Sequence, residues 1–347
     1  MMVNPPAHKN FCMKHPGFII VVGASAGGVT ALAELIGQLN PSINASVFIV
    51  MHLSRTALSD FLVQRIQPFT TMPCKLATDG EKIQKGCVYI ASSNFHLLVK
   101  DGAVLLGRGP DENGWRPCID VLFRSAAVAF NSRCIGVVLT GMRDDGTAGM
   151  LAIKRSGGCC VVQDPNEAEY PDMPLSILNN MEVDYCMSLG EMGKLLGELT
   201  TRNPGITTVP ADVIIESEIA ERVVVSYEHV KQIGNKSIYA CPDCGGGLWD
   251  ISGDTDQKER VVRYRCHIGH SYSENDLVLK QGEIFESTLW IALRIMEERR
   301  NLFLKIYNDH LKRGLVTMAA TYQDKVSGIQ VHIDKMKEVL FASQKLI

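Results

Sequence analysis

The chain is poor in charge and in aromatic residues. Of its 347 residues 21% are Asp, Glu, Lys or Arg and 7% are Phe, Trp or Tyr, and Lys and Arg never form a long run. With a formal net charge of −3, it lacks the basic footprint by which proteins hold nucleic acid, so no nucleic-acid partner is expected. Long apolar runs are missing too. The apolar stretch FIIVVGASA is short and glycine-broken, which excludes membrane insertion through it, and no export signal precedes it. Without such a signal, the eleven cysteines read as buried thiols or metal ligands, and the expected compartment is the cytoplasm. What the chain does have is apolar bulk, 46% of its residues, enough for one sizeable core and a smaller unit.

From Phe18 to about Leu199 β-branched runs alternate with helical patterns. FIIVVGAS is followed by VTALAELIGQL, SVFIVMHLS by SDFLVQRIQ, with CVYIA and RCIGVVLTG further on. Continuous apolar strands of this kind belong to a parallel sheet covered on both faces, so the expected fold class is α/β, doubly wound and mostly parallel. Residues 17–199 form this unit. After Thr200 the rhythm stops, and residues 200–236 are expected to be a linker. A compact Cys- and His-bearing module over 237–275 and a helical tail over 276–347 complete the chain.

The first strand-to-helix turn is Gly23-Ala24-Ser25-Ala26-Gly27-Gly28. A serine on such a turn stands clear of the sheet, flanking glycines permit the sharp turn, and the following helix aims amide hydrogens and its positive end at any oxyanion formed there. Glycines at a first βα turn also cradle dinucleotides, but the spacing here is not G-x-G-x-x-G, and the second strand ends in His52 instead of an acid for a ribose. His52 lies on the same carboxyl edge as Ser25, one strand away, within reach as a general base. A third strand, IGVVL, leads into TGMRDDGTAGM, where Asp144 or Asp145 supplies an acid to orient the imidazole. The order Ser, His, Asp differs from that of α/β-hydrolases, although GASAG matches their elbow.

In this order GASAGG, FIVMHLS, CVYIASSNFHLLV, RPCIDVLFRSAA, LTGMRDDGTAGM and VQDPNEAEYPDMP resemble the catalytic domain of CheB-type protein-glutamate methylesterases, over roughly residues 17 to 195. The resemblance implies Ser25 as nucleophile, His52 as base and the aspartate just before the glycine, Asp145, as acid. It implies oxyanion or substrate contacts at Ala26 and Met142, no cofactor for catalysis, and a methylated chemoreceptor or related signalling protein as partner. The reaction it implies is hydrolysis of glutamate γ-methyl esters with release of methanol, with deamidation of receptor glutamines as a second activity. Two positions depart from the pattern: Ala26 replaces a common threonine, and Arg143 stands where the family usually has glycine. Family members with an N-terminal receiver domain are controlled by it. Only about sixteen residues precede the first strand here, so control is expected from a separate regulatory partner or from the C-terminal extension. His96 and Arg116-Pro117 lie in the same motifs without an assigned role.

Cys241-Pro-Asp-Cys244 and Cys266-His267-Ile-Gly-His270 resemble the knuckles of a zinc ribbon. Cys241, Cys244, Cys266 and His270 are the expected ligands of a structural zinc; the alternative is a small hairpin whose thiols stay unligated. In the tail, Leu289, Leu293, Met296, Leu302, Phe303 and Ile306 form an apolar stripe read as core or self-association surface, the latter implying a dimer. An alternative to the enzyme is a signalling adaptor that keeps the methylesterase fold without its catalysis.

Overall fold

The computed structural model describes residues 17–52, 60–205, 207–221, 227–252 and 261–343. The residues before the first strand, the end of the FIVMHLS motif, part of the 200–236 segment and the start of RVVRYRC lie outside them.

β1 (Phe18–Ala24) is buried along its whole length, as its unbroken apolar sequence requires. Around it stand α1 (Gly28–Gln38), β2 (Ala45–Met51), α2 (Asp60–Ile66), β3 (Cys74–Leu76), β4 (Val88–Ile90), α3 (Ile119–Phe130), β7 (Cys134–Val138), α4 (Thr147–Arg155), β8 (Cys159–Gln163), α5 (Asp172–Asn180), β9 (Tyr185–Met187) and α6 (Leu189–Leu199). A hairpin, β5 (His96–Lys100) and β6 (Ala103–Gly107), interrupts the alternation. The sheet runs β3-β4-β2-β1-β7-β8-β9, and every pairing in it is parallel. The alternation of β1 divides the core. Ile20 and Val22 pack in the layer containing α1 and α6, while Ile19 and Val21 pack in the layer of α3, α4 and α5. Each such side chain, fully buried, contributes on the order of 1.5–3 kcal/mol.

The chain leaves β1 toward β2 on one side and later returns to place β7 on the other. Strand order therefore reverses at β1, and the carboxyl ends of β2, β1 and β7 border one crevice, the usual place for a site in such a sheet. Register brings the ends level: Ala24 pairs with Met51 and Gly23 with Val138.

The 200–236 segment is not featureless. It carries α7 (Ala211–Glu221) and α8 (Tyr227–Ile233). Ala220 on α7 is packed with Leu98, Cys118 and Val121 of the α/β core, while Ile219 joins Val230, Trp249 and Ile251. The module that follows is a four-stranded antiparallel sheet of β10 (Asn235–Ala240), β11 (Gly247–Asp250), β12 (Arg263–Cys266) and β13 (Ser271–Ser273). One compact unit extends to Ser273 and a second runs from Glu274 to the end.

The second unit is a hairpin of α9 (Glu274–Lys312) and α10 (Val316–Ser343). Leu293, Ile333 and Leu340 form its small core, with Leu289 and Met296 against them. Leu302 of the apolar stripe is 55% exposed, outside this core. Among the described residues no helix is long and apolar enough to cross a membrane.

Candidate active site

Ser25 follows β1 directly, His52 follows β2 directly, and Asp145 stands in the loop between β7 and α4. The three side chains meet. His52 Nδ1 lies 3.3 Å from Ser25 Oγ, and His52 Nε2 lies 2.8 Å from Asp145 Oδ2. The carboxylate fixes the tautomer: Nε2–H donates to Asp145, leaving Nδ1 as the acceptor for the serine hydroxyl. All three residues are buried. Gly27 makes the turn after the serine possible, since its φ is 74° and a Cβ there would stand 2.7 Å from Glu169 Oε2.

Asp145 is surrounded by donors. Its Oδ2 also accepts Ile119 N–H at 2.8 Å, and its Oδ1 accepts from Asn113 Nδ2 at 3.0 Å, Cys118 Sγ at 3.1 Å, Asp120 N–H at 3.2 Å and Gly146 N–H at 3.0 Å. Two of these amides open α3, so the acid occupies that helix's N-terminus. Burial by itself would push this carboxyl up. The His52 hydrogen bond and charge, with the Ile119 and Cys118 donors, outweigh it and hold the group down to about 2. Neighbouring Asp120, buried and facing the Asp145 charge, is pushed the other way, up to about 7. Asp144, the other aspartate of the motif, points elsewhere: its carboxyl is hydrogen-bonded by Ser273.

The Ser25 amide is used by the fold, donating to Thr140 O at 3.1 Å. The Ala26 and Met142 amides have no acceptor among the described residues; Ala26 directly follows Ser25, and Met142 directly follows Gly141, where an added Cβ would stand 2.8 Å from Ser25 Cβ. Arg143 has φ 68°, a conformation in which glycine costs least, and this is the physical reason for glycine being the usual residue there.

Several site residues carry no signal in the sequence. Trp115 stacks on His52 with ring centroids 4.2 Å apart and planes 2° off parallel. Asn113 bridges the acids, its Nδ2 donating to Asp145 and to Asp120 Oδ2 at 2.9 Å. An Asn-Gly pair reads only as a turn; that it meets the triad is decided by Asp145, 32 residues away. His96 and Arg116 hold this loop. His96 Nε2 donates to Pro110 O at 2.9 Å while its Nδ1 accepts Cys118 N–H at 3.3 Å, and Arg116 Nη1 donates to Gly109 O at 2.7 Å.

Behind the loop lies a buried ionic cluster. Glu112 pairs with Arg124 on α3 and with Arg265 on β12, the latter at 2.6 Å, and Glu216 on α7 takes both Arg263 terminal nitrogens at 2.9 and 2.6 Å. Burial pushes the Glu112 carboxyl up, but the Arg124 and Arg265 guanidiniums hold it well below the carboxylate range.

In the module, ligand atoms of Cys241, Cys244, Cys266 and His270 all lie within 4.8 Å of one another. His267 stands aside, edge-on to Trp249. A tetrahedral zinc with bonds of about 2.3 Å to sulfur and about 2.0–2.1 Å to nitrogen needs edges of about 3.8 Å between sulfurs and about 3.5 Å from sulfur to nitrogen. Cys244 Sγ and Cys266 Sγ are 3.8 Å apart, and Cys266 Sγ and His270 Nδ1 are 3.5 Å apart. The donor set fits zinc.

A buried serine, imidazole and carboxylate in hydrogen-bonded series at a switch point of a doubly wound sheet is the arrangement of a serine hydrolase. The CheB methylesterase family model matches residues 20–196, and the chain belongs to that family. A Geobacter metallireducens protein-glutamate methylesterase/protein-glutamine glutaminase is 36% identical over 198 residues, 56% of this chain and 53% of that one. A Leptospira interrogans relative named for the same two activities is 36% identical over 185 residues, 53% of this chain and 95% of that one. The crystal structure of the Thermotoga maritima CheB methylesterase catalytic domain superposes with a TM-score of 0.51 at 32% identity, covering 53% of this chain and 98% of that one.

Proposed function

We propose that this chain is a cytoplasmic protein-glutamate methylesterase that hydrolyses glutamate γ-methyl esters on a chemoreceptor or a related methylated signalling protein, and that it deamidates receptor glutamines by the same route. The observation that carries the reading is the Ser25–His52–Asp145 hydrogen-bonded series. Ser25 Oγ attacks the ester carbonyl while His52 Nδ1 takes its proton. The tetrahedral oxyanion is held by the Ala26 and Met142 amides. His52 then returns the proton to the departing methoxide, methanol leaves, and a water deprotonated by His52 cleaves the acyl-serine to free glutamate. Asp145 keeps the imidazole in its tautomer and stabilises its charged form. Zinc at Cys241, Cys244, Cys266 and His270 plays no part in these steps; it is structural, and control comes from a separate partner or from the C-terminal extension.

The test is methanol release from methylated receptor together with serine-directed fluorophosphonate labelling. The wild type should release methanol and label at Ser25, and Ser25→Ala should do neither. Equal release by both proteins would reject Ser25 as nucleophile, and no release by the folded wild type would favour the adaptor.

A further inference from the structure

We propose that a metal ion held by Cys241, Cys244, Cys266 and His270 sets the geometry of the triad through the turn Glu112–Trp115, so that removing the ion slows the esterase while the α/β sheet stays folded. The inference rests on the esterase reading of Ser25.

The path from ligand to triad is short. Ser271 directly follows the ligand His270, and its carbonyl accepts Asn113 N–H at 2.8 Å. The same asparagine donates from Nδ2 to Asp145 Oδ1 at 3.0 Å. On the other strand, Arg265 directly precedes the ligand Cys266. It donates to Gly269 O at 3.1 Å, inside the second knuckle, and to Glu112 Oε2 at 2.6 Å. The turn closes on itself, since Trp115 N–H donates to Glu112 O at 2.9 Å, and its indole covers the His52 ring at 4.2 Å. One turn of four residues is thus fixed from behind by residues adjacent to two ligands. In front it touches both partners of the nucleophile.

The sheet and its ionic cluster anchor the strands of the module, and the ion acts at the turns that carry its ligands, Cys241 and Cys244 after β10 and Cys266 to His270 between β12 and β13. β12 has four residues and β13 three, too few to be stable as a ribbon alone. Three thiols and an imidazole are gathered within 4.8 Å at these turns. In such modules the free energy of metal binding is free energy of folding. Without the ion, Ser271 and Gly269 lose their fixed positions, and Asn113 and Trp115 lose their backing. The β1 sheet keeps its own buried layers. Neighbours that orient groups in this way are worth about 10–100-fold in activity.

The experiment uses the full chain purified with zinc, with metal content measured by mass spectrometry. Zinc is then stripped with a chelator and restored. Three readouts are followed: kcat for methanol release, the rate of fluorophosphonate labelling at Ser25, and hydrogen exchange in peptides covering residues 110–118 and β1. Near-stoichiometric zinc is expected. Stripping should slow turnover and labelling by about 10–100-fold and speed exchange at 110–118, with β1 still protected and all three restored by zinc. Cysteine variants risk failing to fold, so Asn113→Ala supplies a second line that keeps every ligand. It should bind zinc normally, lower kcat with KM unchanged, and lose less on stripping than the wild type does. The inference is overturned by a protein that holds no zinc, by rates unchanged within about twofold on stripping, by loss of β1 protection together with the loop, or by losses from Asn113→Ala and stripping that simply multiply. An active enzyme indifferent to zinc removes this inference alone, whereas a zinc-loaded protein that neither turns over nor labels at Ser25 removes the esterase reading with it.

Discussion

Asp145→Asn keeps the shape of the acid and changes only what it can accept. The wild-type carboxylate takes six hydrogen bonds, two at Oδ2 from His52 Nε2 and Ile119 N–H and four at Oδ1 from Asn113, Cys118, Asp120 and Gly146. An amide must turn its NH2 toward one of these groups. Turning it toward the Oδ1 side sets it against four donors, so the lower-energy choice is the Oδ2 side, facing His52. The imidazole then answers by taking its other tautomer, with Nε2 as acceptor and Nδ1–H aimed at Ser25 Oγ. In that tautomer it cannot remove the serine proton. The corresponding substitution in a serine protease costs about 10⁴-fold in kcat, which is about 5.4 kcal/mol of transition-state stabilisation, and the same order is expected here. Ile119 N–H is also left facing a donor, so the fold should lose on the order of 1–3 kcal/mol. The assay is methanol release at saturating substrate, with urea unfolding in parallel to show that the variant is folded at the assay temperature. A folded variant within about tenfold of wild-type kcat would refute the tautomer argument, since no acceptor for Nε2–H would then be needed.

The remaining predictions concern the groups behind the triad. Glu112→Ala removes the partner of two buried guanidiniums on Arg124 and Arg265 and should cost about 3–5 kcal/mol in urea unfolding; a cost under about 1 kcal/mol would place the cluster among surface pairs. Asp120 is raised to about 7 by burial and the Asp145 charge, so its contribution to stability is present in full below about pH 4 and is lost as pH rises through about 7. Asp120→Asn lacks this loss. Its stability relative to wild type should therefore climb between about pH 4 and pH 7 and level off above that, and a difference that stays flat across that range would contradict it.

How much of this could be read from residues alone depended on whether the determining neighbours were close in sequence. The GASAGG turn lies between an unbroken apolar strand and an amphipathic helix, so its serine, and His52 one strand on, could be placed on one sheet edge. Asp144 and Asp145 could not be separated by turn chemistry. What separates them is the N-terminus of α3, which supplies Ile119 and Asp120 amides to one carboxylate and none to the other. The helix over Ala211–Glu221 escaped for a different reason. Glu216, a charge buried in the face that packs on the core, interrupts the apolar period, and its partners Arg263 and Arg124 stand 47 and 92 positions away. Periodicity detects helices that bury apolar stripes; it fails where the buried face is ionic. Asn113 and Trp115 escaped because nothing local to an Asn-Gly turn distinguishes one that touches a triad.

The anchoring of the acid has a chemical consequence of its own. A carboxylate that merely oriented an imidazole could be held by one or two donors, whereas Asp145 is held by six and lies at the positive end of α3. Each donor lowers its basicity, and the group is held down to about 2. So weak a base does not take the proton from His52 in any step. The proton that leaves Ser25 Oγ stays on the imidazole, whose positive charge is met by a full negative charge 2.8 Å away in a site closed from water on the opposite ring face by Trp115. With solvent excluded, that attraction is stronger than it would be at the surface, and it acts only while the ring is charged, that is, while the tetrahedral intermediate exists. The donors around Asp145 therefore stabilise the transition state without binding the substrate at all.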